Sequence, residues 1–261
     1  MVGVPFGRFV PTNSVIHKLS PIAKTIAFVS LSIGSLFLSG IADFTVFLSL
    51  WIVLSALSAV PFREFVKTLR GIRLLILLIV VFQILFTHGR VLLDLKVLRI
   101  TEEGLINAAV LSARMILAVL FSIMLSLTTT PLEISSSVEE IIGKLPGGKK
   151  RSSEIGMALS LTLTFIPLIS LQTNRIILAQ KARGIEFDKG SIFSRVKNSI
   201  SVVIPVIATS LKKAQDTAAA LQIRGYRPGH KLTCLKEKSW SLSDSILLVV
   251  TMLSILTAII L

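Results

Sequence analysis

The sequence predicts an all-α membrane protein, with about five transmembrane helices and a cytoplasmic domain of three more. Three observations predict it. Of 261 residues, 52% are hydrophobic and the mean hydropathy is +0.82, which is more apolar surface than a soluble domain of this size can bury. Several stretches of 16 to 20 residues carry no charge, close to the length an apolar helix needs to cross a bilayer. The net charge of +14 is also lopsided: Lys144 to Lys238 holds 17 Lys/Arg against 5 Asp/Glu, and the remainder holds 11 against 9.

The charge-free stretches place the spans in order. They are Thr25 to Ala42, Phe44 to Phe62, Leu74 to Gly89, Met115 to Leu132 and Ser245 to Leu261. Charged residues at helix ends snorkel to the interface, so spans are expected near 22–40, 43–61, 72–88, 105–128 and 242–261. Met1 to Ser14 contains Pro5, Arg8 and Pro11 without an apolar core, and does not read as a signal peptide. Trp51 falls mid-span, where it packs; Trp240, just before the last span, fits an interfacial anchor. Arg114 lies inside span four, where a charge costs roughly 2.5–3.5 kcal/mol. It is expected to face the bundle interior or another subunit, most simply as a structural pair.

Short loops set the orientation through their positive charge. Arg8, Lys18 and Lys24 before span one share a side with Arg63, Lys67, Arg70 and Arg73 after span two. The opposite side receives the Gly40–Asp43 turn, with no positive residue, and the 89–104 loop, whose three are balanced by Asp94, Glu102 and Glu103. The N-terminus is therefore expected in the cytoplasm and the C-terminus outside.

This divides the chain into a membrane domain at 1–130, a cytoplasmic domain at 131–241 and a last span at 242–261. Ile155 to Asn174 is charge-free too, but its flanks, Lys144–Glu154 and Arg175–Lys197, are both basic. Crossing would leave one of them outside. Ser160, Thr162, Thr164 and Pro167 also interrupt it, so it is expected to lie at or under the membrane, covered by protein. Three helices are expected in the insert. The first begins with Thr130 as N-cap and Pro131 at its first position and runs to about Ile142. The others run from about Ser153 to Arg183, roughly 45 Å, and from about Ser191 to Arg224. Pro167 and Pro205 are expected to kink them.

Both long helices end alike, with Ala182-Arg183-Gly184 and Ile223-Arg224-Gly225. Glycine ends a helix in the left-handed conformation without steric strain. An arginine before it sits favourably on the helix dipole. Arginine before a glycine is also ordinary helix punctuation, so one instance would mean little. Two such ends on similar basic helices point to a pair of guanidinium forks offered to carboxylates on a partner.

His17-Lys18-Leu19-Ser20-Pro21-Ile22-Ala23-Lys24, Ile100-Thr101-Glu102-Glu103-Gly104-Leu105, Arg114, Leu127-Thr128-Thr129-Thr130-Pro131, Phe165-Ile166-Pro167, Ala182-Arg183-Gly184 and Arg224-Gly225-Tyr226-Arg227 occur in that order. In order and spacing the chain resembles the transmembrane T component of energy-coupling factor transporters, the EcfT family that includes the cobalt-transport CbiQ proteins. The resemblance implies a non-catalytic subunit of an ATP-driven importer. Its two long cytoplasmic helices would cross, and their ends would dock on two ATP-binding-cassette subunits through Ala182, Arg183, Gly184, Arg224 and Gly225. Ile223 stands where the family has alanine, which puts the fine geometry of the second contact in question. A separate membrane S component would capture a vitamin or a transition-metal ion. The apolar faces of about 132–180 and 196–211 are expected to meet it.

Other classes fit less well. Gly143-Lys144-Leu145-Pro146-Gly147-Gly148-Lys149-Lys150 nearly spells a phosphate-binding loop, but Lys150 replaces the required hydroxyl and no strand is expected before it. His17, His88 and His230 lack ligand spacing, and Cys234 is the only cysteine, so neither metal nor cofactor is expected. His17 is expected to cap or pair near the start of span one. The basic insert lacks the aromatics and base-reading motifs of a nucleic-acid binder; anionic lipid is its simpler partner. The remaining alternative is a self-sufficient secondary transporter or channel, which needs ionisable groups or broken helices near the bilayer midplane. Arg114 alone qualifies.

Overall fold

The computed structural model describes residues 14–88, 90–94, 99–144, 148–187, 191–229 and 240–260. The N-terminal stretch before Ser14, the centre of the Pro/Gly turn at 145–147, His230 and Cys234 lie outside the described residues. The elements are α1 (Val15–Lys18), α2 (Pro21–Gly34) with a 3-10 turn at Ser35–Phe37, α3 (Ile41–Ser58), α4 (Phe62–Phe86), β1 (Val91–Asp94), β2 (Arg99–Thr101), α5 (Glu102–Thr128), α6 (Pro131–Lys144), α7 (Gly148–Ala182), α8 (Ile192–Ile223) and α9 (Leu242–Ile260). The protein is all-α in character. The short antiparallel β1–β2 hairpin, pairing Val91 with Thr101 and Asp94 with Arg99, was not expected from the sequence.

The five expected spans fall on α2, α3, α4, α5 and α9. By length and composition α3, α4, α5 and the Arg151–Ala182 part of α7 can each cross a membrane, and Pro21–Phe37 and Leu242–Ala258 are shorter apolar helices. Helix α7 begins at Gly148, ahead of the expected Ser153, so Lys149 and Lys150 are helical and not part of the turn. Two span boundaries also differ from expectation, for physical reasons. The first span stops at Phe37 because Asp43 Oδ2 accepts from the backbone N–H groups of Gly40 and Ser39 at 3.1 and 3.4 Å, which starts α3 early. The helix of the third span, α4, begins at Phe62, with Pro61 before it. Its basic first three turns are helical as well, because charge marks where the bilayer begins without breaking a helix. Pro167 and Pro205 both sit inside uninterrupted helices.

The chain divides into two compact units. One comprises the described residues of Gly7–Ile134 and Lys236–Leu261. Its core includes Phe28, Leu31, Phe47, Phe121, Met124 and Leu127. Lipid tails are as apolar as leucine, so close packing and polar contacts hold such a bundle together. Small residues supply the packing: Ala23 and Ala27 are fully buried, and Gly34 lies where Ile255 of α9 and Phe47 of α3 converge, 3.2 and 3.4 Å from the position a methyl group would take. Ser32 supplies polar contact, donating to the Ala118 carbonyl at 3.1 Å across the α2–α5 seam.

Two cations close the same seam. Lys24 Nζ on α2, with no exposed surface, donates to the Thr128 carbonyl at the end of α5 at 3.0 Å. Arg114 Nε on α5 donates to the Leu38 carbonyl at the end of the α2 turn at 2.7 Å. Each antiparallel helix thus places a cation on the last carbonyls of the other, where the helix dipole favours positive charge. Arg114 is the structural pair expected of it.

Asp244, fully buried, holds the start of α9. Its Oδ2 accepts from the Ser241 N–H and its Oδ1 from the Ser20 N–H, both at 2.8 Å. At the other end of α5, Thr101 Oγ1 accepts from the Gly104 N–H at 3.1 Å and donates to the Thr87 carbonyl at 2.9 Å. Trp51 is buried and meets Phe65 edge-on at 5.4 Å. Trp240 Nε1 donates to Ser245 Oγ at 2.9 Å. Ser14 Oγ lies 2.7 Å from His17 Nδ1 at the cap of α1.

The other unit comprises the described residues of Ser135–Leu235. Its first helix is set by Thr130, which caps α6 as expected. The Glu133 N–H donates to Thr130 Oγ1 at 3.2 Å, and the Thr130 N–H donates back to Glu133 Oε2 at 3.0 Å. This is a reciprocal capping box, with Pro131 at the first helical position. Where α6 passes α7, a methyl group at Gly156 would overlap the Glu139 carboxylate. Partial burial there raises the Glu139 pKa above the ordinary glutamate value. Helices α7 and α8, of 35 and 32 residues, pack against one another.

Candidate functional site: two arginine-capped helix tips

The last turns of α7 and α8 are built alike. At the first tip the Ile185 N–H donates to the Gln180 carbonyl at 3.1 Å, and the Gly184 N–H donates to the Lys181 carbonyl at 3.0 Å. At the second the Tyr226 N–H donates to Leu221 at 2.9 Å, and the Gly225 N–H to Gln222 at 2.9 Å. This paired pattern, one bond spanning six residues and one spanning four, is the Schellman closure. In both tips arginine is the cap residue and glycine follows in the left-handed region, at φ +85° for Gly184 and +77° for Gly225.

Both glycines are required by conformation and not by crowding. A Cβ at either position would meet nothing within 4 Å. The open space around each tip leaves room for another surface to come close to the backbone. Ala182, Arg183, Gly184, Ile223, Arg224 and Gly225 are all exposed. Ile223 is 87% exposed, an isolated apolar side chain at the position beside Arg224. Among the described residues, no hydrogen bond or ion pair engages either guanidinium. Each therefore keeps five donors free in a planar fork.

The first tip is braced from α8. Gln180 Nε2 donates to the Ser201 carbonyl at 3.3 Å. Beyond the tip, Asn198 Nδ2 donates to the Glu186 carbonyl at 2.7 Å. Ser191 caps the start of α8, accepting from the Ser194 N–H at 3.3 Å. These contacts fix the direction in which α7 ends while its arginine stays free.

The sequence reading placed both tips but missed Asp244 and the pairing of Lys24 with Thr128. The available signal was an acidic residue three positions after Ser241, in the first turn of an otherwise apolar helix. An ion there is stabilised by the helix N-terminus, and it marks a fixed helix start. Among the described residues no group of three His, Cys, Asp or Glu is placed to hold a metal ion.

Residues 12–234 match the family model CbiQ, described as cobalt transport protein. The chain is 36% identical over 248 residues to the energy-coupling factor transporter transmembrane protein EcfT of Streptococcus equi subsp. equi, covering 95% of this chain and 92% of that one. It is 34% identical to the EcfT of Listeria innocua serovar 6a, covering 93% and 92%, and 31% identical to that of Bacillus subtilis, covering 93% and 92%. A match over most of both chains makes this chain a member of the EcfT/CbiQ family, the transmembrane components of energy-coupling factor transporters.

Proposed function

We propose that this chain couples ATP hydrolysis by two partner ATP-binding-cassette subunits to a separate membrane S component that captures a vitamin or transition-metal ion. The observation that carries this reading is the pair of exposed, unengaged guanidiniums on two helix ends of the same Schellman geometry. One ATPase seats on Ala182, Arg183 and Gly184; the other seats on Ile223, Arg224 and Gly225. A carboxylate in each partner groove receives the fork in two parallel hydrogen bonds. When the ATPases close on ATP, the two tips move with them, and stiff helices carry the displacement along their length.

The S component meets the apolar faces of α7 and α8. On α8 one stripe, Val196, Ile200, Val203, Ile204, Ile207 and Leu211, is exposed along about four turns. Little of the apolar window of α7, 6%, is covered by the protein's own fold. Contiguous apolar surface of this kind marks a partner or lipid interface. Residues 1–130 and 242–261 act as the membrane domain and 131–241 as the coupling domain. The N-terminus and both tips face the cytoplasm, and the C-terminus lies outside. Arg114, the one midplane ionisable group, is engaged by a backbone carbonyl, which speaks against an ion-carrying pathway of the chain's own.

The test is charge reversal at the tips. Arg183→Glu and Arg224→Glu together are expected to abolish co-purification of the ATPase subunits and transport-coupled hydrolysis, while the membrane domain still folds. An intact complex with ordinary ATP turnover overturns the docking assignment. Single cysteines at 183 and 224 that react with an impermeant reagent on whole cells overturn the orientation.

A further inference from the structure

The first half of α4 carries cations that no side chain among the described residues neutralises. Arg63, Lys67 and Arg70 are exposed and line one open cleft with Glu64 and Val66. Among the described residues, none of the three has a hydrogen-bonded or ion-paired side-chain partner. Arg73 continues the series one turn on. At 100° per residue, positions 63, 67 and 70 fall within one narrow stripe of the helix. The same stripe continues through Leu74, Leu77, Leu78, Val81 and Leu85, all exposed. None of the apolar window of α4 is buried by the rest of the chain.

Helix α4 is therefore amphiphilic along its axis on one face: cationic for its first turns, apolar for the rest. The dimensions match one lipid. Positions 63 to 70 span ~10 Å and positions 74 to 85 span ~16 Å at 1.5 Å per residue. One leaflet of hydrocarbon is ~15 Å deep. A phosphate seated among Arg63, Lys67 and Arg70 places an acyl chain against Leu74 to Leu85 with neither end unmatched. Two guanidiniums beside an ammonium supply fork-shaped and point-charge recognition of phosphate together. Glu64 in the same cleft disfavours a second anion and limits the site to one headgroup.

We propose that α4 holds one acidic phospholipid, its phosphate on Arg63, Lys67 and Arg70 and its acyl chain along Leu74–Leu85. The site does not depend on how the tips dock, and it lies on residues with no part in that reading. The occupant is a lipid and not free phosphate, because only a lipid covers the apolar half of the stripe.

The experiment uses the full chain purified in mild detergent and offered phosphatidylglycerol or phosphatidylcholine at equal mole fraction, with bound lipid counted by native mass spectrometry. Wild type is expected to retain one phosphatidylglycerol selectively. A triple variant, Arg63→Gln, Lys67→Gln and Arg70→Gln, is expected to lose affinity on the order of 100-fold. A charge-keeping triple, Arg63→Lys, Lys67→Arg and Arg70→Lys, is expected to stay within several-fold of wild type, which separates lost lipid from lost fold. Removing three cations elsewhere, by Arg195→Gln, Lys197→Gln and Lys212→Gln, is expected to change nothing. Equal retention by the first triple and wild type overturns the proposal. So does equal loss in the distant triple, which would mean bulk charge alone. Displacement of the lipid by excess inorganic phosphate would mean an ion site, and crosslinking of Lys67→Cys to a partner subunit in the assembled complex would mean a protein face; either result overturns it.

Discussion

Replacing Gly184 or Gly225 with alanine separates the conformation of each tip from its chemistry. Neither substitution creates a clash, since a Cβ meets nothing within 4 Å. The penalty is backbone strain at φ +85° and +77°, about 1–2 kcal/mol for an L-residue in the left-handed region. The alternative is to abandon the cap. That gives up two backbone hydrogen bonds per tip, about 0.5–1.5 kcal/mol each in exposed surroundings. The two routes are close in magnitude, so the penalty is set by the cheaper one at about 1–2 kcal/mol. If docking requires the cap, each single variant binds its ATPase roughly 5- to 30-fold more weakly. Thermal unfolding of the membrane bundle should not move. Asparagine tolerates the left-handed region, so Gly184→Asn should recover most of the loss. The assay is titration of immobilised chain with purified ATPase subunits. Equal weakening by alanine and asparagine, or no weakening by either, would refute a docking role for the capped geometry.

Replacing Lys24 with methionine removes a buried charge-assisted bond and leaves the Thr128 carbonyl without its Lys24 donor; a loss of about 1.5–3 kcal/mol is expected, read as a lower unfolding midpoint in detergent. Arg114→Met should act similarly through the Leu38 carbonyl, and the double variant should be close to additive because the two ends lie apart along the seam. Gly104→Ala brings a Cβ within 2.7 Å of Thr101 Oγ1 and should destabilise the α4–hairpin–α5 corner by about 1–3 kcal/mol, seen as faster amide exchange at residues 101–106. For Glu139 the pKa is raised by burial, so the folded state holds its proton to higher pH than the unfolded chain. Its contribution to stability is complete below the unfolded value and is lost as pH rises through the folded one. Unfolding midpoints measured upward from the ordinary glutamate range should fall in wild type and lose this component in Glu139→Gln.

The spans and both tips were legible in the sequence because each has a local signal. Apolar runs declare themselves by length, and Arg-Gly states the cap chemistry within two residues. The α6 start was legible for the same reason, since Thr130, Pro131 and Glu133 are adjacent. What the sequence hid was pairing at a distance. Nothing local says that Lys24 reaches Thr128, 104 positions on, or that Asp244 holds the backbone of Ser20. The start of α4 was hidden for a different reason. A hydropathy reading marks where charge ends, at Leu74, but Phe62 to Arg73 is helical despite its four cations. The β1–β2 hairpin was missed because its strands are only four and three residues long, too short for alternation to stand out.

The distribution of charge follows from which cations have partners inside the fold. Lys24 and Arg114 lie on helices packed on several sides, and each ends on a backbone carbonyl whose own helix has finished. Full burial makes the Lys24 contact obligatory, because an unpaired cation there would bear its full desolvation penalty; Arg114 is half-buried and its contact is less demanding. Asp244 is held likewise by two N–H groups at a helix start. Arg183, Arg224 and the cations of α4 are in the opposite situation. They project from elements whose surroundings are open, where solvation maintains the charge and no side chain among the described residues pairs with it. Such groups add little to folding, so the basic excess of this protein is not explained by its own stability. Carboxylates at the tips and phosphate along α4 are the two chemistries that match the two geometries: a single fork on a rigid end in one case, and three cations above an apolar stripe in the other.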